Sequence, residues 1–270
     1  MARYQVILSY DGTHFYGFQR LKSRLSIKRT VQALVEVALR QLDWQGKTIL
    51  AAGRTDTGVH ASGQVIAFDL DWTHSPDDLL RALNARLPSD IAATQVQVVA
   101  PDFHPRYDAK ARLYRYRLFC QEMRNPLEER YAWRVWPPVD VEALKQASRY
   151  LVGTHDFAVF GRPLKAGAST VRTVLSAGWK SEGHFLVFQI ASNAFLYHMV
   201  RRMVFQQVAI GHGKIPPEAV LVYLGESQAD ECCSQDVHVP PKYQGLAPPQ
   251  GLDLAMVYYQ AINIDEFDGV

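Results

Sequence analysis

The chain has 270 residues, of which 48% are hydrophobic and 21% charged, with a formal net charge of +2. This composition is typical of a globular protein and excludes a disordered or fibrous one, and the length suits one large or two fused domains. No apolar run approaches the roughly 20 residues that cross a bilayer, and we expect no secretory signal and no membrane partner. The three cysteines lack metal-ligand spacing, so we expect free thiols and a cytoplasmic protein.

The first hundred residues predict the order β-α-β-β-α-β. Residues 3–10 alternate apolar and polar side chains, as a half-buried strand does. Thr30 can cap a helix whose apolar positions keep helical spacing through Leu42, and Ser75-Pro76 begins a second helix that ends before Pro88. The remaining predicted strands are 49–52, 65–68 and 93–99, with a glycine-rich loop at 53–63.

The second half repeats this order loosely. Its predicted strands are 113–119, 131–136, 171–179, 185–190 and 251–259, and its predicted helices follow Asp140, run from about Phe195 to Gly211, and cover 217–224. We therefore predict an α+β fold of two ferredoxin-like (RRM-like) halves, 1–105 and 106–270. Mixed or antiparallel sheets flanked by helices are expected in each half, with an active-site cleft between the halves.

The loop 53–63 carries the most informative residue, Asp56. It stands in the run Gly53-Arg54-Thr55-Asp56-Thr57-Gly58, where glycines let a backbone pass close to a ligand. The same residue types also make ordinary solvated turns. No second carboxylate and no nucleophile–base pair accompanies Asp56 locally, so it would act largely alone, kept ionised and oriented by a nearby cation.

Several familiar sites are missing from the sequence. It contains no GxxxxGK, GxGxxG, CxxC, HExxH or GxSxG motif. The nine histidines are scattered without ligand spacing, and those near loops suit hydrogen bonding better than metal binding. We therefore predict no metal site.

Basic residues are clustered although the net charge is small. The clusters are Arg20, Lys22, Arg24, Lys28 and Arg29; Arg106, Lys110, Arg112, Arg115 and Arg117; and Arg201 with Arg202. Tyr107, Tyr114 and Tyr116 interleave the second cluster. Such stretches suit neutralisation of a nucleic-acid backbone together with base stacking, and equally a solvated strand face.

Motifs along nearly the whole chain resemble the tRNA pseudouridine synthase A (TruA) family. They are GRTDTGVHA at 53–61, YDGT and GFQ at 10–13 and 17–19, TVQ at 30–32, DFHPR at 102–106, YRY at 114–116, HDF at 155–157, STVRT at 169–173, NAFLYHMVR at 193–201 and APPQGL at 247–252. Three departures stand out: a longer, more basic loop at 20–29, an unusual segment at 160–168, and Thr57 in place of the common alanine.

The resemblance implies cofactor-free isomerisation of uridine to pseudouridine in the anticodon stem–loop of tRNA. It implies that Asp56 attacks the anomeric carbon or removes a ribose proton, that Tyr114 stacks on the target base, and that Arg201 pairs with the aspartate. Arg54 would help to displace the base. A base that is modified in this way must first leave the stack. The family also implies a homodimer.

The predicted site therefore has two parts. The catalytic residues are Asp56, Tyr114 and Arg201, and the tRNA-binding residues are Arg54, Tyr114, Arg20, Lys22, Arg24, Arg106, Lys110 and Arg112. Two other functions compete with this one. A catalytically silent RNA-binding protein of the same fold would have lost a catalytic residue, and a metal-independent nucleosidase would place a second carboxylate near Asp56.

Overall fold

The structure, a computed structural model, describes residues 1–21, 28–225 and 245–260. Lys22, Arg24, Cys232 and Cys233 lie outside these ranges. The described residues form two compact units, one of 1–113 with 252–260 and the other of 114–225 with 245–251. The predicted boundary between 105 and 106 stays a prediction.

The elements confirm the predicted α+β fold class. In chain order they are β1 (Ala2–Tyr10), α1 (Val31–Arg40), β2 (Leu50–Ala51), β3 (His60–Leu70), α2 (Pro76–Asn84), β4 (Ile91–Val99), β5 (Ala111–Cys120), β6 (Trp133–Val135), α3 (Val141–Arg149), β7 (Gly153–Asp156), β8 (Val171–Glu182), β9 (Phe185–Ser192), α4 (Met199–Gly211), α5 (Ala219–Tyr223) and β10 (Leu252–Tyr258). Short 3-10 turns lie at Gly12–His14 and Pro249–Gly251.

The sheet of the first unit has β1 at its centre. β1 pairs antiparallel with β4 on one side and with β3 on the other. The far edge of β3 pairs antiparallel with β2 and, further along, parallel with β10. The order β4-β1-β3-β2 is the order of the split βαβ fold that the sequence predicted.

The two helices of the first unit begin in different ways. At α2, the Ser75 hydroxyl accepts from the Asp78 N–H while the Asp78 carboxylate accepts from the Ser75 N–H, which is the capping box. At α1, Thr30 occupies the cap position but makes no side-chain cap bond. The carbonyls of residues 17 and 18 accept instead from the first N–H groups of α1, so backbone replaces the predicted side-chain cap.

The second unit has the strand order β5-β9-β8-β7, with β6 parallel to β5. The pairs β8–β9 and β7–β8 are antiparallel. Asp140 caps α3 as predicted, accepting from the N–H groups of Glu142 and Ala143. The long helix α4 begins at Met199 rather than at Phe195, because His198 has a left-handed backbone with φ of 67°. Strand β7 was not predicted.

No helix in the described ranges is both long enough and apolar enough to span a bilayer.

Candidate active site

Asp56 lies on the turn that connects β2 to β3. Its side chain is half-buried, whereas that of Thr55 is buried and that of Arg54 is exposed. The N–H of Val59 donates to the Asp56 carbonyl at 3.1 Å and closes the turn. The carboxylate is therefore carried by a hydrogen-bonded turn and not by an extended loop.

The segment 11–18, which follows β1, is hydrogen-bonded to this turn both before and after Asp56. The N–H of Phe18 donates to the Thr55 carbonyl at 3.1 Å, and the N–H of Gly58 donates to the Phe15 carbonyl at 3.3 Å. Both phenylalanine side chains are buried. The residues before and after Asp56 are thus fixed to a second, well-packed segment.

The close packing of the segment 11–18 against the Asp56 turn requires a glycine at position 17. Its φ of +84° lies in the left-handed region, and a Cβ built there would stand 2.8 Å from the Thr55 carbonyl oxygen. A side chain at this position would push the segment away from the turn. The motif around Gly17 therefore has a structural role beside Asp56.

A buried hydroxyl pair fixes the same turn from β1. The hydroxyls of Tyr10 and Thr55 are 2.7 Å apart, and the two residues are only 4% and 6% exposed. Thr55 is held through both its side chain and its carbonyl. Sequence reasoning missed Tyr10, although its place in the YDGT motif and at the inward-facing end of an alternating strand was the available signal.

His60, the first residue of β3, links the same two motifs. Its Nδ1 lies 3.0 Å from the Gly12 N–H and 3.2 Å from a carboxylate oxygen of Asp11. This agrees with a hydrogen-bonding role for the histidine. It also corrects the predicted loop 53–63, because the part from His60 onward is strand.

The basic segment 20–29 is anchored at both ends by carboxylates. Arg20 donates to Glu36 at 2.9 Å, and Glu36 is fully buried in α1. Arg29 makes two hydrogen bonds to Asp90, at 2.6 and 2.8 Å, which raise the pKa of its guanidinium. Glu36 was missed by sequence reasoning, since a glutamate on a helix reads as a surface residue.

The second basic cluster divides into exposed and internally bonded members. Arg106 and Lys110 are exposed. Arg112 donates to the carbonyls of Ala52, at 3.0 Å, and of Arg106, at 2.7 Å. Arg112 therefore fixes the backbone of Ala52, which follows β2 and precedes the Asp56 turn. Its predicted contact with tRNA stays a prediction.

Tyr114 lies in the second unit, on β5. Its ring is half-buried and meets the ring of Phe195 edge-to-face, with centroids 5.0 Å apart. Phe195 belongs to the segment that leads into α4. The ring–ring contact orients the tyrosine that the sequence predicts to stack on a base.

Arg201 is buried in α4, with 8% of its surface exposed. Its Nε donates to the Ala247 carbonyl at 2.7 Å, and the Ala247 N–H donates back to the Arg201 carbonyl. The neighbouring Tyr116 hydroxyl donates to the Pro248 carbonyl at 2.8 Å. Burial raises the pKa of Tyr116 far more than the charge of Arg201 lowers it, so the hydroxyl keeps its proton and donates.

The C-terminal APPQGL motif is thereby explained as a support for Arg201. The role of the motif is not evident from the sequence, because its partners lie 46 and 132 residues away along the chain.

The predicted site residues belong to both units. Asp56, Arg54, Arg20, Arg106, Lys110 and Arg112 lie in the first unit, and Tyr114 and Arg201 lie in the second. The grouping of Asp56, Tyr114 and Arg201 into one site stays a prediction. In the described part of the chain, no group of three or more His, Cys, Asp or Glu side chains is placed to hold a metal ion.

The sequence model of the tRNA pseudouridine synthase family matches residues 6–108 and 147–260. The chain belongs to this family. The matched ranges contain Asp56 and Arg201, whereas Tyr114 falls between them, so its role rests on the YRY motif alone.

Relatives of the same family cover most of the chain. A protein named tRNA pseudouridine synthase A from Geobacillus sp. (strain WCH70) is 41% identical over 95% of this chain and 98% of its own length. One from Streptococcus equi subsp. equi (strain 4047) is 40% identical over 83% of this chain and 90% of its own, and one from Thermoanaerobacter sp. (strain X514) is 34% identical over 96% and 100%.

Proposed function

We propose that this protein isomerises uridine to pseudouridine in tRNA, and that the target uridines lie in the anticodon stem–loop. The observation that carries the proposal is family membership over most of the chain, with relatives named tRNA pseudouridine synthase A. The GRTDTGVHA motif, with Asp56 on its hydrogen-bonded turn, supports it. All the predicted catalytic residues are present, which disfavours a catalytically silent RNA-binding protein.

The reaction breaks the bond from N1 of uracil to C1′ of the ribose and forms a bond from C5 to C1′. The C5 proton leaves to solvent and N1 gains a proton, so no net oxidation or reduction occurs and no group donor is consumed. The chemistry therefore needs an acid–base or nucleophilic residue and a means to hold the detached base, and it requires no cofactor.

We assign these tasks to the residues that carry the resemblance. The Asp56 carboxylate attacks C1′ or removes a ribose proton, and both routes require it in the ionised form. Arg201 pairs with that carboxylate, Tyr114 stacks on the flipped base, and Arg54 helps to displace it from the helix. Contacts from Arg20, Arg106, Lys110 and Arg112 to phosphates supply affinity.

Release of tritium tests the reaction. Unmodified tRNA transcribed with [5-³H]uridine should lose tritium to water when the dialysed protein is added with a chelator. The loss follows because formation of the C5–C1′ bond expels the hydrogen at C5. If the protein released no tritium even at stoichiometric concentration, it would lack this activity and would at most bind RNA.

The hydroxyl pair beside Asp56 leads to a further prediction about the turn. Tyr10→Phe removes one hydroxyl and leaves the buried Thr55 hydroxyl without that partner, at a cost of about 1–3 kcal/mol in stability. We expect turnover to fall by about 10-fold, because the turn that carries the carboxylate is less well fixed. The tRNA dissociation constant should stay within about 2-fold of wild type, since phosphate contacts dominate affinity.

Tyr4→Phe is the matched control for this test. Tyr4 is equally buried on β1, and its ring stacks on Phe68 with centroids 6.3 Å apart. This variant should keep full turnover. Equal turnover for Tyr10→Phe and Tyr4→Phe would contradict a positioning role for the Tyr10 hydroxyl.

We propose further that the protein is a cytoplasmic homodimer. A tRNA is larger than one active cleft, and a chain with a net charge of +2 gains from pooling two sets of basic segments. Analytical ultracentrifugation at assay concentration should give twice the monomer mass. A monomer with full activity would contradict the proposal.

A further inference from the structure

The segment 157–170, which connects β7 to β8, contains Arg162 and is followed by Arg172 at the start of β8. The proposed reaction uses neither arginine. Its backbone is fixed, because the Phe157 N–H donates to the Thr170 carbonyl at 3.2 Å and both Phe157 and Phe160 are buried. From 157 to 172 the sequence FAVFGRPLKAGASTVR has three basic residues and no acidic one. The connector is therefore an ordered, positively charged surface element.

Arg162 is held by stacking on an aromatic ring. Its guanidinium lies 5.1 Å from the ring centroid of Tyr197, and the Tyr197 N–H donates to the Arg162 carbonyl at 3.0 Å. The Tyr197 ring stacks in turn on His198 with a centroid distance of 3.7 Å. The Arg162 side chain is exposed. Stacking restricts the arginine while leaving its N–H groups available.

Arg172, at the start of β8, is half-buried, and its hydrogen-bond acceptors in the described part of the chain are neutral carbonyls. Its Nη1 donates to the carbonyls of Ser169, at 2.9 Å, and Val171, at 2.6 Å. Its Nε is buried and finds no acceptor among the residues that the structure describes. Burial lowers the pKa of the guanidinium, and none of the described carboxylates pairs with it. The site is thus a partly desolvated cation that an anion would stabilise.

We propose that Arg162 and Arg172 each bind a phosphate of the RNA backbone, which makes the connector 157–170 and the start of β8 a substrate-docking element of the second unit. The inference rests on the proposed function, which supplies RNA as the substrate. An arginine fork held in place by stacking or by carbonyls matches the geometry of a phosphate. Phosphate contacts of this kind add affinity and fix register without sequence preference.

Salt-dependent binding of unmodified tRNA tests the proposal. Removing one arginine–phosphate interaction should reduce the slope of log affinity against log salt by about 0.7–0.9. Arg162→Ala should therefore reduce the slope by this amount, and Arg162→Ala combined with Arg172→Gln by about twice as much. Arg124→Ala is the matched control, because Arg124 is also an exposed arginine of this unit but already lies 3.5 Å from Glu129. The salt dependence of tRNA binding by Arg124→Ala should have the same slope as that of wild type.

Folding and activity are measured on the same samples. Because Arg162 is exposed, Arg162→Ala should have the melting temperature of wild type, and the slope of its salt dependence can be interpreted directly. A slope unchanged in Arg162→Ala, together with tritium release by wild type, would overturn this proposal and leave the proposed function intact. No tritium release by wild type would overturn the proposed function instead, and a reduced slope would then still identify the connector as an RNA contact.

Discussion

Asp56→Asn is expected to lower pseudouridine formation by at least about 10³-fold, because asparagine can neither attack C1′ nor accept a ribose proton. The side chain keeps its size, and the backbone bonds of Thr55, Gly58 and Val59 that hold the turn do not depend on the carboxylate charge. We expect the tRNA dissociation constant to remain close to that of wild type, because phosphate contacts dominate affinity. Single-turnover tritium release together with filter binding measures both the rate and the affinity.

The matched control for this variant is Asp77→Asn, an exposed carboxylate in the first turn of α2. It removes the same charge from the same unit and should leave the rate unchanged. If Asp56→Asn retained a rate within a few-fold of wild type, Asp56 would be neither nucleophile nor base. The motif would then have a purely structural role.

The second large effect is expected at Tyr114. Stacking of a base on an aromatic side chain is worth about 1–3 kcal/mol, so Tyr114→Ala should weaken tRNA binding by roughly 5- to 150-fold and also slow the reaction. Tyr114→Phe keeps the ring, its stacking surface and its edge-to-face contact with Phe195. That variant should bind tRNA as wild type does, and any reduction of its rate reports the contribution of the hydroxyl.

The contact with Phe195 makes a purely structural role testable as well. A tyrosine that only fills space beside Phe195 would give Tyr114→Ala a lower melting temperature with unchanged tRNA affinity. Equal affinity of wild type and Tyr114→Ala would therefore contradict stacking on the base. A weaker affinity at an unchanged melting temperature would support it.

Local signals sufficed where both partners are close in sequence. The alternation over residues 3–10 predicted β1, and Ser75-Pro76-Asp77-Asp78 predicted the start of α2 through a cap residue, a first-position proline and acids in the first turn. The order β-α-β-β-α-β then constrained the sheet of the first unit to a familiar arrangement. These features follow from short-range chemistry alone.

Several errors and omissions occurred where the partner is distant in the sequence. Ser62 and Gly63 read as loop residues, yet they lie in β3 beside β10. There the Ser62 hydroxyl donates to Asp253 at 2.7 Å, and a Cβ on Gly63 would overlap the Ala255 carbonyl. β3 and β10 are too far apart in the chain for a short stretch of sequence to contain both. The supports of the site were missed for the same reason, since Thr55 meets Tyr10 across 45 residues.

The measurement that tests the central claim most directly is the mapping of every uridine in unmodified tRNA, at nucleotide resolution, after incubation with the wild-type protein. The proposed function predicts pseudouridine at positions of the anticodon stem–loop, tRNA of unchanged mass, and no pseudouridine with Asp56→Asn. Free uracil and an abasic ribose would instead identify a nucleosidase. Intact uridines throughout the stem–loop, at saturating enzyme, would contradict the assignment.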